Sequence, residues 1–122
     1  MQALKTRNCR HDDDSRQPLD SGELDRALSG ELSDWQHDQD KHEIRRDFRF
    51  KNYYHTMAFV NAVAWIANKE AHHPDLEVGY GHCLVRFTTH DIKGLGINDL
   101  ICAAKVDALL DTGDFGPKVV SD

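Results

Sequence analysis

The sequence has no apolar run approaching the ~20 residues needed to cross a bilayer, no cluster of lysine and arginine, and only three cysteines in 122 residues. Each shortage excludes something. Cys9, Cys83 and Cys102 are too few and too scattered for a disulfide framework, and an odd count in a short chain suits a reducing compartment. Fifteen basic residues stand against twenty-one acidic ones, for a net charge of -6. Phosphate backbones need clustered positive charge, so direct binding of nucleic acid is disfavoured. The opening MQALKTRNCRHDDD lacks the apolar centre of a signal peptide. The expectation is a cytoplasmic protein with no membrane segment.

What is present is a modest core and many histidines. The chain is 39% hydrophobic and 30% charged, which fits one domain with a well-solvated surface. Eight histidines occur. Three of them, His72, His73 and His90, fall in segments patterned as ordered structure. Residues 1–18 are polar, carry the run Asp12-Asp13-Asp14 and reach Pro18; they read as a flexible tail before a single domain over 19–122. Cys9 and His11 in such a tail do not make a metal site.

Asp20 and Glu23 have capping-box spacing, and Leu24, Ala27 and Leu28 then recur at helical intervals up to Gly30. Leu32 and Trp35 read as core anchors. Ile44, Phe48 and Phe50 occupy alternate positions, with Arg46 interrupting the series, as in a half-buried strand. The polar stretch from His37 to His42 suits a hairpin turn, and its two histidines do not share a helical face. Residues 53–70 form the clearest helix, with Phe59, Val63, Ile66 and Ala67 as its stripe and Trp65 off it. Pro74 ends this helix near His72. Strands follow over Leu76–Tyr80 and Cys83–Thr89, with Gly81-His82 turning between them and Cys83, Val85 and Phe87 on one face. A last helix runs from Ile97 to Asp111, with Gly113 and Pro117 ending it.

The order α-β-β-α-β-β-α predicts an α+β fold: a four-stranded antiparallel sheet with three helices on one face. The other sheet face would need cover, and Trp65 lacks an intrachain partner. Both point to a homo-oligomer.

His72 and His73 stand at the C-terminal end of the long helix, where the helix dipole favours a protonated imidazole. His90 stands at a strand end, where loops carry function. Three readings stay open on the residues alone. One is acid-base catalysis, for which imidazole titrates in the right range. Another is a zinc site, although adjacent histidines rarely bind one ion and no full ligand set accompanies them beyond Cys83 and Glu70. The third is a hydrogen-bonded His-His-Pro helix stop.

The spacing carries a resemblance. His72-His73-Pro74, five residues to Tyr80, nine to His90 and eight to Asp99 resemble the signature of the pterin-4a-carbinolamine dehydratases. Trp35, the strand at Phe48–Phe50, Phe59, Thr89-His90 and Gly94-Leu95 fit the same pattern, over roughly residues 19–112. The resemblance implies removal of the 4a-hydroxyl from a hydroxytetrahydropterin, giving quinonoid dihydropterin and water, in recycling of the tetrahydropterin cofactor of aromatic amino-acid hydroxylases. It implies that His72 and His90 are general acids toward the two stereoisomers. It implies that His73 binds the pterin and acts as base toward a ring N–H. Glu70 and Asp99 are expected at the substrate. No metal or redox cofactor is implied, and the partners expected are the pterin and one or three further copies of the chain. Two positions depart from the usual pattern. Asn68 stands where an ionisable residue is usual, with Glu70 near enough to compensate. Gly96 stands where Ser or Thr usually caps the last helix. The family also contains dimerisation and assembly partners, so a binding role is the alternative.

Overall fold

The computed structural model describes residues 3–112, ordered as a short 3-10 turn (Leu4–Thr6), α1 (Ser21–Ser29), β1 (Gln36–Asp38), β2 (Glu43–Arg49), α2 (Tyr53–Glu70), β3 (Asp75–Val78), β4 (His82–Phe87), a second 3-10 turn (His90–Ile92) and α3 (Ile97–Thr112). The four strands form one antiparallel sheet in the order β1-β2-β4-β3. The α+β expectation holds. The expected end of α3 at Gly113 and Pro117 lies outside the described residues.

Local chemistry sets these limits. Asp20 caps α1 by accepting the Glu23 N–H at 2.7 Å. Asn52 caps α2 in the same way through the His55 N–H at 2.8 Å. β2 and β4 pair with Ile44 opposite Phe87, Arg46 opposite Val85 and Phe48 opposite Cys83. That register puts Ile44, Phe48, Val85 and Phe87 on the helix side, with Leu84 facing the other way. The turn between β3 and β4 falls at Gly79–Gly81 rather than at Gly81-His82, and His82 belongs to β4, paired with Arg49. At Gly81 a Cβ would come within 2.8 Å of the Phe50 carbonyl oxygen, so only glycine passes there.

The core lies between the sheet and the helices. Phe59 is fully buried, with its ring 4.7 Å from that of Phe48 and 4.9 Å from that of Phe50. Rings buried this deeply each contribute ~2–3 kcal/mol by area. Trp35 packs edge-on against Phe48 and tilted against Phe87, both at 6.0 Å. Arg46, the break in the β2 pattern, bridges to α3 through Asp107 at 2.8 Å, and the Trp35 indole N–H donates to the same carboxylate at 3.0 Å. Burial pushes the Asp107 carboxyl above its ordinary range, while the Trp35 and Arg46 bonds pull it down.

Two expectations need correction. Residues 3–18 do not hang free. The Leu4 and Lys5 N–H groups bond the Glu31 carboxylate at 2.8 and 3.1 Å. The Asn98 side chain pairs with both backbone groups of Arg10, at 3.2 and 2.7 Å, and the Leu19 N–H reaches the Leu95 carbonyl at 2.9 Å. The segment is a strap along α3. The reason lies in α3, where Leu100, Ile101, Cys102, Ala103, Ala104 and Val106 are all buried. A helix that is apolar nearly all round must be covered on both sides. The sheet covers one side and the strap the other.

The second correction concerns the open sheet face. It is charged and internally paired, not apolar. Arg86 pairs with Glu77 and, at 3.7 Å, with Glu43; Asp47 pairs with His82 at 2.9 Å and Arg49 at 2.6 Å. Leu84, half-buried opposite Asp47 and Glu77, is the apolar exception on it. Trp65, 67% exposed, remains as the apolar surface to explain.

Candidate active site

α2 ends in a way that aims two histidines. Ala71 takes the left-handed conformation, with φ 53° and ψ 40°. Its N–H turns back to Ala67 and Asn68, and the His72 N–H reaches the Ala67 carbonyl at 3.1 Å. This is a Schellman ending with alanine where glycine is usual, at a cost of roughly 1 kcal/mol. His11 from the strap steadies it through a 2.9 Å bond from Nε2 to the Glu70 carbonyl. The chain therefore leaves the helix axis at Ala71, and Pro74 keeps it extended.

His72 turns inward. Its Nε2 lies 2.6 Å from Asp99 Oδ1. Asp99 is fully buried, and the His72 side chain is only 12% exposed. The imidazole stacks on Phe87, 6.1 Å between ring centres and 7° between planes. Asp99 accepts two further bonds at Oδ2, from the Thr89 hydroxyl at 2.7 Å and from the Gly96 N–H at 2.9 Å. The last of these is half of a capping box at the start of α3. With both carboxylate oxygens filled by donors, Nε2 of His72 carries a proton and Nδ1 is left for other work.

Asp99 thus ties three elements together: α3, the end of α2 through His72, and the end of β4 through Thr89. His90 follows Thr89 directly and is exposed, at the start of the second 3-10 turn. Lys93 closes that turn in the left-handed region, φ 51°. His73 is exposed, with Nε2 3.3 Å from the Asn68 amide oxygen. That contact places the Nε2 proton toward Asn68 and frees Nδ1 as an acceptor. Asn68 therefore does at His73 what Glu70 was expected to do.

Glu70 lies elsewhere. Its Oε1 accepts the Cys9 N–H at 2.7 Å and its Oε2 stands 3.9 Å from Lys105, so its carboxylate serves the strap. Glu70 is the last residue of α2, and the left-handed Ala71 between them turns His72 away from it. Asp99, expected at the substrate, is fully buried, with its carboxylate bonded to His72, Thr89 and Gly96. Thr89 and Phe87 had a legible signal. The alternation that puts Cys83, Val85 and Phe87 inward continues to Thr89.

Comparison with known proteins adds the class. The family model for pterin 4 alpha carbinolamine dehydratase matches residues 17–109. A protein of Legionella pneumophila (strain Corby), provisionally named as that dehydratase, is 50% identical over 107 residues, covering 88% of this chain and 95% of the relative. One from Nitrosospira multiformis, named in the same provisional way, is 50% identical over 106 residues, covering 87% and 91%. A crystal structure described as a transcriptional coactivator/pterin dehydratase from Brucella melitensis superposes with a TM-score of 0.72 at 30% identity, covering 76% of this chain and 98% of that one. A pterin dehydratase-like protein identified as a RuBisCO assembly factor in the alpha-carboxysome superposes at 0.54 with 25% identity, over 62% and 87%. The chain belongs to the pterin-4a-carbinolamine dehydratase family. Among the described residues no helix is long and apolar enough to cross a membrane.

Proposed function

We propose that this protein dehydrates a 4a-hydroxytetrahydropterin to quinonoid dihydropterin and water by histidine acid-base catalysis, in tetrahydropterin recycling. The observation that carries the reading is the buried Asp99, which holds His72 at 2.6 Å and the residue before His90 at 2.7 Å. One carboxylate thereby relates the helix-end histidine to the strand-end histidine.

In this reading His72, protonated, delivers its Nδ1 proton to the departing hydroxyl while Nε2–H stays on Asp99. His90 does the same for the opposite stereoisomer. His73 accepts the ring N–H proton at Nδ1. One proton is delivered, one is removed and water leaves, so the step moves no electrons and proton transfer suffices. The protein works in the cytoplasm, as an assembly of two or four copies in which the exposed Trp65 is covered.

Turnover of 4a-hydroxytetrahydropterin by the purified chain tests the proposal. His72→Ala and His90→Ala should each slow one separated stereoisomer, and the double variant should lose ~100- to 10,000-fold on the racemate. Exhaustive EDTA should leave the rate intact. Equal slowing of both isomers by both single variants would remove the division of labour. Loss with EDTA and recovery with zinc would remove the metal-free mechanism.

A second reading, a non-catalytic assembly partner, is supported by the likeness to the carboxysome assembly factor. Absence of turnover in a folded chain would favour it.

A further inference from the structure

The dehydration chemistry makes no use of Cys9 or Cys102, yet their sulfurs lie 3.4 Å apart across 93 residues of sequence. The strap's own bonds put them there. On one side the Cys9 N–H is held by Glu70, and on the other Arg10 is paired with Asn98. Cys102 is fully buried on α3, while Cys9 is half-buried at the edge of the strap.

We propose that Cys9 and Cys102 are a modification site: a reversible disulfide that fastens the strap to α3, formed by exchange with a small oxidised thiol. Access sets the order of events. Cys9, as thiolate, attacks one sulfur of the oxidant. The oxidant's S–S bond breaks, and one small thiolate leaves and takes up a proton. Cys102 then gives up its proton and attacks the Cys9 sulfur of the mixed disulfide, expelling the second small thiolate. Two protein thiols lose two protons and two electrons, and the oxidant becomes two thiols. Its hydrogen bond to Cys9, and then its burial, push the Cys102 thiol far above its ordinary range. It therefore resolves the mixed disulfide only after Cys9 has reacted and no longer accepts its proton. Cys83 is an internal control. It sits in the sheet core, its thiol pushed up to about 11 by burial and by the charge of Asp47.

The position of the bond gives it meaning. Glu70, which holds Cys9, lies two residues before His72, and Cys102 lies one turn beyond Asp99. The crosslink fastens the strap to α3, which carries Asp99, at the residue whose N–H already bonds Glu70 at the end of α2. In a reducing compartment the pair stays as thiols, and a rise in oxidised thiol closes it.

The test uses the full chain. Reduced protein is incubated with excess oxidised glutathione, denatured, alkylated with N-ethylmaleimide and mapped by mass spectrometry. The expected product carries one alkyl group, on Cys83, and a Cys9–Cys102 crosslinked peptide. Cys102→Ala should keep glutathione on Cys9. Cys9→Ser, at the more exposed position, should leave Cys83 and Cys102 both open to alkylation. The oxidised form should melt several degrees higher, because the bond closes a long loop. Three alkylated cysteines, or glutathione retained on wild-type Cys9, would overturn the proposal, as would a lower melting point.

Discussion

Two aspartates, Asp99 buried and Asp107 half-buried, stand eight residues apart on α3, and their partners make them different things. Asp107 binds the Trp35 indole and the Arg46 guanidinium. Neither partner changes its protonation in ordinary conditions, so this end of α3 is a fixed joint between helix and sheet. Asp99 binds a hydroxyl, a backbone N–H and an imidazole. The imidazole is an acid-base group, its side chain is 12% exposed, and its Nδ1 carries no bond among the described residues. Such a carboxylate is thus a structural bolt or a chemical support according to whether its partner can give up a proton and meet solvent.

The comparison can be broken by exchanging charge for an amide at each end. Asp99→Asn should cut turnover by about 10- to 100-fold, by analogy with other residues that orient a functional histidine. The fall should appear in kcat more than in KM, with a shifted pH profile, because an amide no longer favours the Nε2-protonated ring. An unchanged pH profile would leave Asp99 with a purely structural role. Asp107→Asn should leave the rate per folded molecule unchanged but cost about 1–3 kcal/mol in denaturant melts, since Arg46 loses its ionic partner in a half-buried site. A rate loss there would erase the distinction. Ala71→Gly is expected to have the smallest effect. It should add about 1 kcal/mol of stability by relieving the left-handed alanine, and any drop in kcat alongside would show that this strain helps to hold His72.

Much of this was legible beforehand, for reasons that particular residues make plain. Period-2 alternation at Ile44–Phe48 and Cys83–Phe87 and period-3.6 recurrence through α2 gave the layer order. Pro74 marked the helix end to within two residues. The spacing of His72, His90 and Asp99 marked the candidate site. Two things were harder to read. Asp99 looked like a substrate contact because sequence shows a carboxylate without its depth. Glu70 looked close to His72 because two residues is a short distance along a chain, and nothing in the letters showed Ala71 turning left-handed between them. The strap was missed because residues 3–18 are polar and lack periodicity. Its signal lay elsewhere, in an α3 whose apolar residues run round the whole helix and demand a second cover.

That strap also sets the order in which the molecule can be finished. Arg10 and Asn98, which pair through both backbone groups of the arginine, are 88 residues apart, and Lys5 and Lys105 are joined across 100. Contacts of such separation wait until the intervening chain has collapsed. On the ribosome the strap emerges before the sheet, and the helix that it covers emerges after it. Until then one side of α3 has no cover, and the partly made molecule presents Cys102 and its apolar neighbours to the surroundings. A segment synthesised before the sheet thus closes the fold after it.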